Sequence, residues 1–218
     1  MKTLRLGPAL VAEALGTFIL VFAGCGAIVI GKLPPSGVAA AFGLAVMVSV
    51  YAFGQVSGAH FNPAVSLAFA VGGHFPAARL LPYWGAQLAG AVAAAGLLLA
   101  TLGSVKAAVV QPASSNAQAL AWEGVLTFML MLVIVAVATD ARAVGPWAAI
   151  AIGGAVALGS LVGGPISGAA MNPARALGPD LLSGQVANVW IYIVGPAMGA
   201  CLAAVTYRYV AEPLASAG

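Results

Sequence analysis

Apolar residues run along this chain in long, nearly unbroken blocks. Six blocks approach the ~20 residues that a bilayer-spanning helix requires. They are Ala9–Ile30, Val38–Phe53, Leu80–Leu102, Ala119–Ala138, Trp147–Val162 and Val189–Tyr209, with the second and fifth short enough to begin earlier than marked. Clusters of Pro, Gly and polar residues separate several of them: GKLPPSG, QPASSNAQ and DARAVGP. Two shorter apolar segments remain, Pro63–Val71 and Pro173–Leu182, each about half a span long. Each follows a polar interruption, VSGAHFNPAV from Val56 and ISGAAMNPAR from Ile166. The pattern predicts an all-α integral membrane protein with six transmembrane helices and two re-entrant half-helices.

Composition supports the membrane class. Of the 218 residues, 62% are hydrophobic and 6% charged, against about 25% charged in soluble domains. Mean hydropathy is +1.07. The net charge of +3 comes from Lys and Arg spread singly, so no basic patch suits nucleic acid. The 28 glycines and many alanines suit closely packed membrane helices. Cys25 and Cys201 fall inside apolar blocks and read as free thiols. The opening Lys2 and Arg5, with FAGC at Phe22–Cys25, resembles a secretory signal. Its apolar run of about 20 residues exceeds the 7–15 of a signal core, so it reads as a first span. With both termini inside, Lys2, Arg5, Arg79, Arg142 and Arg208 face the cytoplasm, and Lys32 and Lys106 face out. That excess predicts a multi-pass inner (plasma) membrane protein with cytoplasmic termini.

The chain repeats itself. Subtracting 110 from Glu123, Thr127, Gly153, Ser167, Gly168, Asn172, Pro173, Ala174 and Gly195 gives Glu13, Thr17, Gly43, Ser57, Gly58, Asn62, Pro63, Ala64 and Gly85. One ungapped offset predicts a duplication, with halves at about residues 1–108 and 109–218 in a single domain. Each half carries three spans, so the second half must lie upside down relative to the first. This is an inverted repeat, and its half-helices meet near the midplane.

Asn is a favoured helix N-cap and Pro a favoured first helical residue. Asn62 and Asn172 should therefore each begin a half-helix, with the two positive helix ends facing one another. Non-helical backbone at that depth must be buried in protein or line a water-filled cavity. Arg175 lies in the first turn of the second half-helix, and an intramembrane Arg is a functional candidate. Glu13 and Glu123 form a symmetric buried pair, either a proton relay or acceptors for loop N–H groups. His60 either lines the pore or braces its loop, and His74 reads as interfacial. No metal cluster, nucleophile–base pair or phosphate-binding loop is apparent, so no enzyme activity, cofactor or metal is expected.

SGAHFNPAV and SGAAMNPAR, with AEALGT and WEGVLT on the first and fourth spans, closely resemble the paired NPA signatures of the aquaporin (major intrinsic protein) family. The resemblance covers essentially the whole chain. It implies a passive channel for water and small uncharged solutes, built as a homotetramer with one pore per subunit. Half-helix dipoles and a filter Arg are the known barrier to protons and cations in such channels. Carried over, the motif residues are Asn62, Pro63, Ala64, Asn172, Pro173 and Ala174. The resemblance also places Phe42, Ser160, Ala169 and Arg175 in the selectivity filter, and gives Glu13 and Glu123 the loop-supporting role. Strict water channels typically carry His where this chain has Ser160, which implies a wider aperture. Ala176 after the second motif looks water-channel-like, whereas Ile193 after Tyr192 leans toward glycerol channels. VATDARAVG and PISGAAMNPARALGP look most like the plant nodulin-26-like branch and its bacterial relatives. That branch is associated with glycerol and neutral metalloid acids, and Phe42 is unusual in it. The alternatives are a water-selective aquaporin and a coupled secondary transporter, which shares inverted repeats and broken helices.

Overall fold

The computed structural model describes residues 5–113, 115–140 and 145–211; Lys2 and Arg142 lie outside them. Among the described residues, six helices are long and apolar enough to cross a membrane. They are α1 (Leu6–Ile30), α2 (Pro35–Ser57), α4 (Leu80–Leu102), α5 (Asn116–Thr139), α6 (Ala148–Ser167) and α8 (Val189–Ala211). Two short helices, α3 (Pro63–Val71) and α7 (Pro173–Ser183), follow α2 and α6.

The second and fifth spans differ most from the expected limits. α2 starts at Pro35, whose fixed φ suits a first turn, and runs past Phe53 through Gln55 to Ser57. α6 starts one residue late and continues to Ser167 with Pro165 in its last turns. What stops both helices is a left-handed glycine, Gly58 at φ 87° and Gly168 at φ 88°. α5 starts earlier than expected because Ser115 caps it, its side chain accepting from the Gln118 N–H.

The halves α1–α4 and α5–α8 interlock. α1 packs on α4 and α5 on α8, while α2 crosses α6 between halves. α3 lies against α8 and α7 against α4, so each half-helix is held by the opposite half. The α2–α6 crossing sits at Gly43 and Gly153, where a Cβ on either would come within 2.6 Å of the other's carbonyl oxygen. At the α1–α4 crossing a Cβ on Gly90 would overlap the Ala14 carbonyl, and at α5–α8 one on Gly199 would overlap that of Gly124.

These crossings correct the ungapped register. Gly199 is the counterpart of Gly90, an offset of 199 − 90 = 109, and Tyr192 corresponds to Tyr83, 192 − 83 = 109. One residue is therefore missing between the second motif and α8. The pairing of Gly195 with Gly85 fails accordingly. A Cβ on Gly195 would stand 2.8 Å from Glu123 Cβ, whereas Gly85 has nothing within 4 Å. Along α1–α3 and α5–α7 the offset of 110 holds, as the matching bonds below demonstrate. Cys25 is buried and Cys201 half-buried, both free. Large apolar side chains such as Val11, Leu44, Leu81 and Leu202 face outward, as a lipid-facing wall requires.

Candidate functional site

Asn62 and Asn172 have extended backbones, φ −156° and −154°, immediately before their half-helices. Asn62 Oδ1 accepts from Ala64 N at 2.9 Å, and Asn172 Oδ1 from Ala174 N at 2.9 Å and Arg175 N at 3.4 Å. Pro63 and Pro173 occupy first helical positions, where no N–H is needed. The amide nitrogens cross to the opposite loop: Asn62 Nδ2 donates to the Met171 carbonyl and Asn172 Nδ2 to that of Phe61, both at 2.8 Å. A carboxamide has two donor hydrogens, so each Asn retains one beyond this clamp. Ala64 and Ala174 are buried, and small side chains there let the two half-helices abut.

The loops pay for their shape with backbone strain at matching places. Ala59 and Phe61 in the first, and Ala169 and Met171 in the second, have positive φ between 44° and 53°. Such conformations cost of order 1–3 kcal/mol each and persist where surroundings over-determine them. The surroundings here are two buried carboxylates. Glu13 Oε1 accepts from Ser57 Oγ at 2.7 Å and His60 N at 2.9 Å; Oε2 accepts from Phe61 N at 2.6 Å and Gln87 Nε2 at 2.7 Å. Glu123 Oε1 accepts from Ser167 Oγ at 2.7 Å and Ala170 N at 2.9 Å, and Oε2 from Met171 N at 2.7 Å. Tyr83 and Tyr192 each donate from their hydroxyl to the carbonyl of Ser57 or Ser167 at 2.8 Å.

Sequence reasoning missed Gln87 and both tyrosines. The available signal was polarity: Gln87 is the lone carboxamide in an apolar span, and such residues are rarely idle. His60 does two things. It lines a cavity of about 540 Å³, and its ring stacks on Phe69 with Phe75 and Tyr83 around it, while Nδ1 lies 3.0 Å from Ser66 Oγ. His74 is exposed, edge-on to Phe69.

Two cavities lead in from opposite faces. The first, of about 540 Å³, opens beside Gln55 and Ala148 and reaches both Asn62 and Asn172. The second, of about 630 Å³, opens beside Pro35, Lys106 and Pro165. Among the described residues, only Phe42, Ser160, Ala169 and Arg175 line both. The Arg175 guanidinium is aimed by two neighbours: Nη1 donates to the Ala108 carbonyl at 3.0 Å, and Cζ lies 5.2 Å from the Phe42 ring centre. Its buried Nε has no hydrogen-bond partner among the described residues. Phe42 has room because a Cβ on Gly24 would overlap its ring. Glu13 and Glu123 stand behind the loops, outside both cavity linings. Among the described residues no group of three or more His, Cys, Asp or Glu could hold a metal.

Six spans, two opposed half-helices and cavities meeting at one ring define a membrane pore. The chain belongs to the major intrinsic protein family, whose model matches residues 1–207. It is 48% identical over 215 residues to aquaporin NIP1-1 of Oryza sativa subsp. japonica, covering 94% of this chain and 76% of that one. Nodulin-26 of Glycine max is 44% identical over 215 residues, covering 94% of this chain and 79% of that one. The aquaglyceroporin of Plasmodium falciparum superposes with a TM-score of 0.83 at 27% identity, covering 96% of this chain and 98% of that one. The protein is thus a multi-pass membrane channel for water and small solutes and not an enzyme.

Proposed function

We propose that this channel is passive, excludes ions and protons, and conducts water and glycerol-sized uncharged solutes past a filter formed by Phe42, Ser160, Ala169 and Arg175. One observation carries the reading: among the described residues, these four are the only ones common to the two cavities. Arg175 supplies donors to a permeant oxygen, and its Nε has no competing acceptor among the described residues. Ser160 and Ala169 are small, so the aperture admits carbon-bearing solutes, and Phe42 gives them an apolar wall. Further in, Asn62 and Asn172 each present their remaining amide hydrogen. A water oriented by both acts as acceptor only and cannot relay a proton. Cations lose hydration there and meet two positive helix ends.

The name of the structural neighbour, an aquaglyceroporin, agrees with a filter wider than water requires. Neutral metalloid acids belong to the same solute class, with Phe42 limiting the largest. The protein sits in the plasma membrane with both termini cytoplasmic, since Arg5, Arg79 and Arg208 share one face opposite Lys32 and Lys106. It assembles as a homotetramer with one pore per subunit. Coupled transport finds little support. It needs a carboxylate that faces substrate, and Glu13 and Glu123 spend their oxygens on loop donors.

The test is light scattering from proteoliposomes under sucrose, glycerol and urea gradients. We expect facilitated flow of water and glycerol with no uphill accumulation in a proton gradient. Ser160→His should lower glycerol permeability by about tenfold while water still passes. Unchanged glycerol flux in that variant, or uphill uptake by the natural chain, would overturn the reading.

A further inference from the structure

The inverted repeat gives each filter position a counterpart on the other side of the pore centre. Adding or subtracting 110 converts Phe42, Ser160, Ala169 and Arg175 into Ile152, Val50, Ala59 and Val65. All four counterparts line the cavity of about 540 Å³, and none lines the other. The equivalence is structural as well as numerical. Ala59 and Ala169 share positive φ, 53° and 44°. Val65 and Arg175 each lie three residues after a capping Asn, and α2 meets α6 symmetrically at Gly43 and Gly153.

The chemistry is not symmetric. The filter ring carries a guanidinium, a hydroxyl and an aromatic face, whereas its counterpart carries only aliphatic groups. The bulk behind it differs too. Gly24 leaves room for the Phe42 ring; its counterpart is Ile134 (24 + 110 = 134), which lines the cavity beside Ile152. Val50, Val65, Ile134 and Ile152 are β-branched and therefore stiff at χ1, so this wall does not yield readily.

We propose that Val50, Ala59, Val65 and Ile152 form a second, apolar constriction that sets the ratio of glycerol to water permeability. A water in single file keeps hydrogen bonds to its neighbours while crossing an aliphatic ring. Glycerol spans more of the ring and must leave hydroxyls unpaired there, and an unpaired hydroxyl in apolar surroundings is costly. The filter admits glycerol by size and polarity, and the second ring opposes it by withholding partners. The choice of residues derives from the proposed filter, but the ring lines the pore whatever the filter does.

The experiment compares full-length variants in proteoliposomes, with glycerol and water permeabilities measured on the same vesicles. Val50→Ser installs the residue that its counterpart already carries, and should raise the glycerol-to-water ratio by about threefold or more. Ile152→Ala should raise it similarly by widening the ring. Ile152→Phe should lower it about tenfold, because Ile134 blocks the recess that Gly24 provides for Phe42. Ile152→Val removes one methylene and keeps the β-branch, and stands in if Ile152→Phe fails to insert; it too should raise the ratio, by less than Ile152→Ala. Ratios within about twofold of the natural chain in both Val50→Ser and Ile152→Ala overturn the proposal. Ser160→His on the same vesicles keeps the two readings apart. A glycerol loss there with no response at Val50 and Ile152 removes only the second constriction; the converse removes only the filter.

Discussion

Gly24 lines neither cavity, yet it decides where Phe42 sits. A methyl group at this position would overlap the aromatic ring, and Phe42 would have to move toward Ser160 and Arg175. Gly24→Ala also raises helix propensity in α1 by about 1 kcal/mol, so the helix itself does not suffer. The expected outcome is a narrower ring in a folded protein. Glycerol permeability should fall about tenfold, with the helical circular dichroism signal unchanged. Equal glycerol flux in the two proteins would mean that Phe42 does not shape the aperture. The sequence offered no warning of this. Gly24 reads as one more small residue in a Gly-rich span, and its importance arises only when α2 brings Phe42 across from it.

The loops carry the next level of organisation. Glu13 and Glu123 were legible as a pair because they recur at a fixed offset and because carboxylates in apolar spans need partners. Their actual donors were less legible. Backbone N–H groups of residues 60, 61, 170 and 171 have no letter of their own, and Gln87 comes from a different helix. Arg175 likewise leans on the Ala108 carbonyl, which any residue could supply. The register error in α8 has a similar origin. Gly195 matches Gly85 by identity, but helices are matched by the face they present, and Gly199 meets α5 as Gly90 meets α1. At this scale Glu123→Gln is the informative change. The amide turns an NH₂ donor toward loop N–H groups, losing at least one charge-assisted bond and leaving a buried donor unpaired, a cost of about 3 kcal/mol. Thermal unfolding in detergent should fall by about 10 °C. An unchanged midpoint would show that the strained loop does not depend on this carboxylate.

For the whole molecule, the decisive feature is which half holds which. α3 belongs to the first half but lies on α8, and α7 belongs to the second but lies on α4. The pore centre itself is two bonds between halves, Asn62 to Met171 and Asn172 to Phe61. Each half satisfies its own loop N–H groups, but neither alone can close the clamp or cover its half-helix, although α1 with α4 and α5 with α8 give each a packed pair of spans. Residues 1–108 and 109–218, expressed as separate chains, should therefore insert and yet conduct nothing singly. Co-expressed, they should recover water permeability, because the contacts that build the pore do not require the covalent link near residue 108. Stopped-flow measurements on vesicles bearing each half and both together decide this. Water conduction by one half alone would mean that the pore is not made between the repeats, and the opposed motifs would need another explanation.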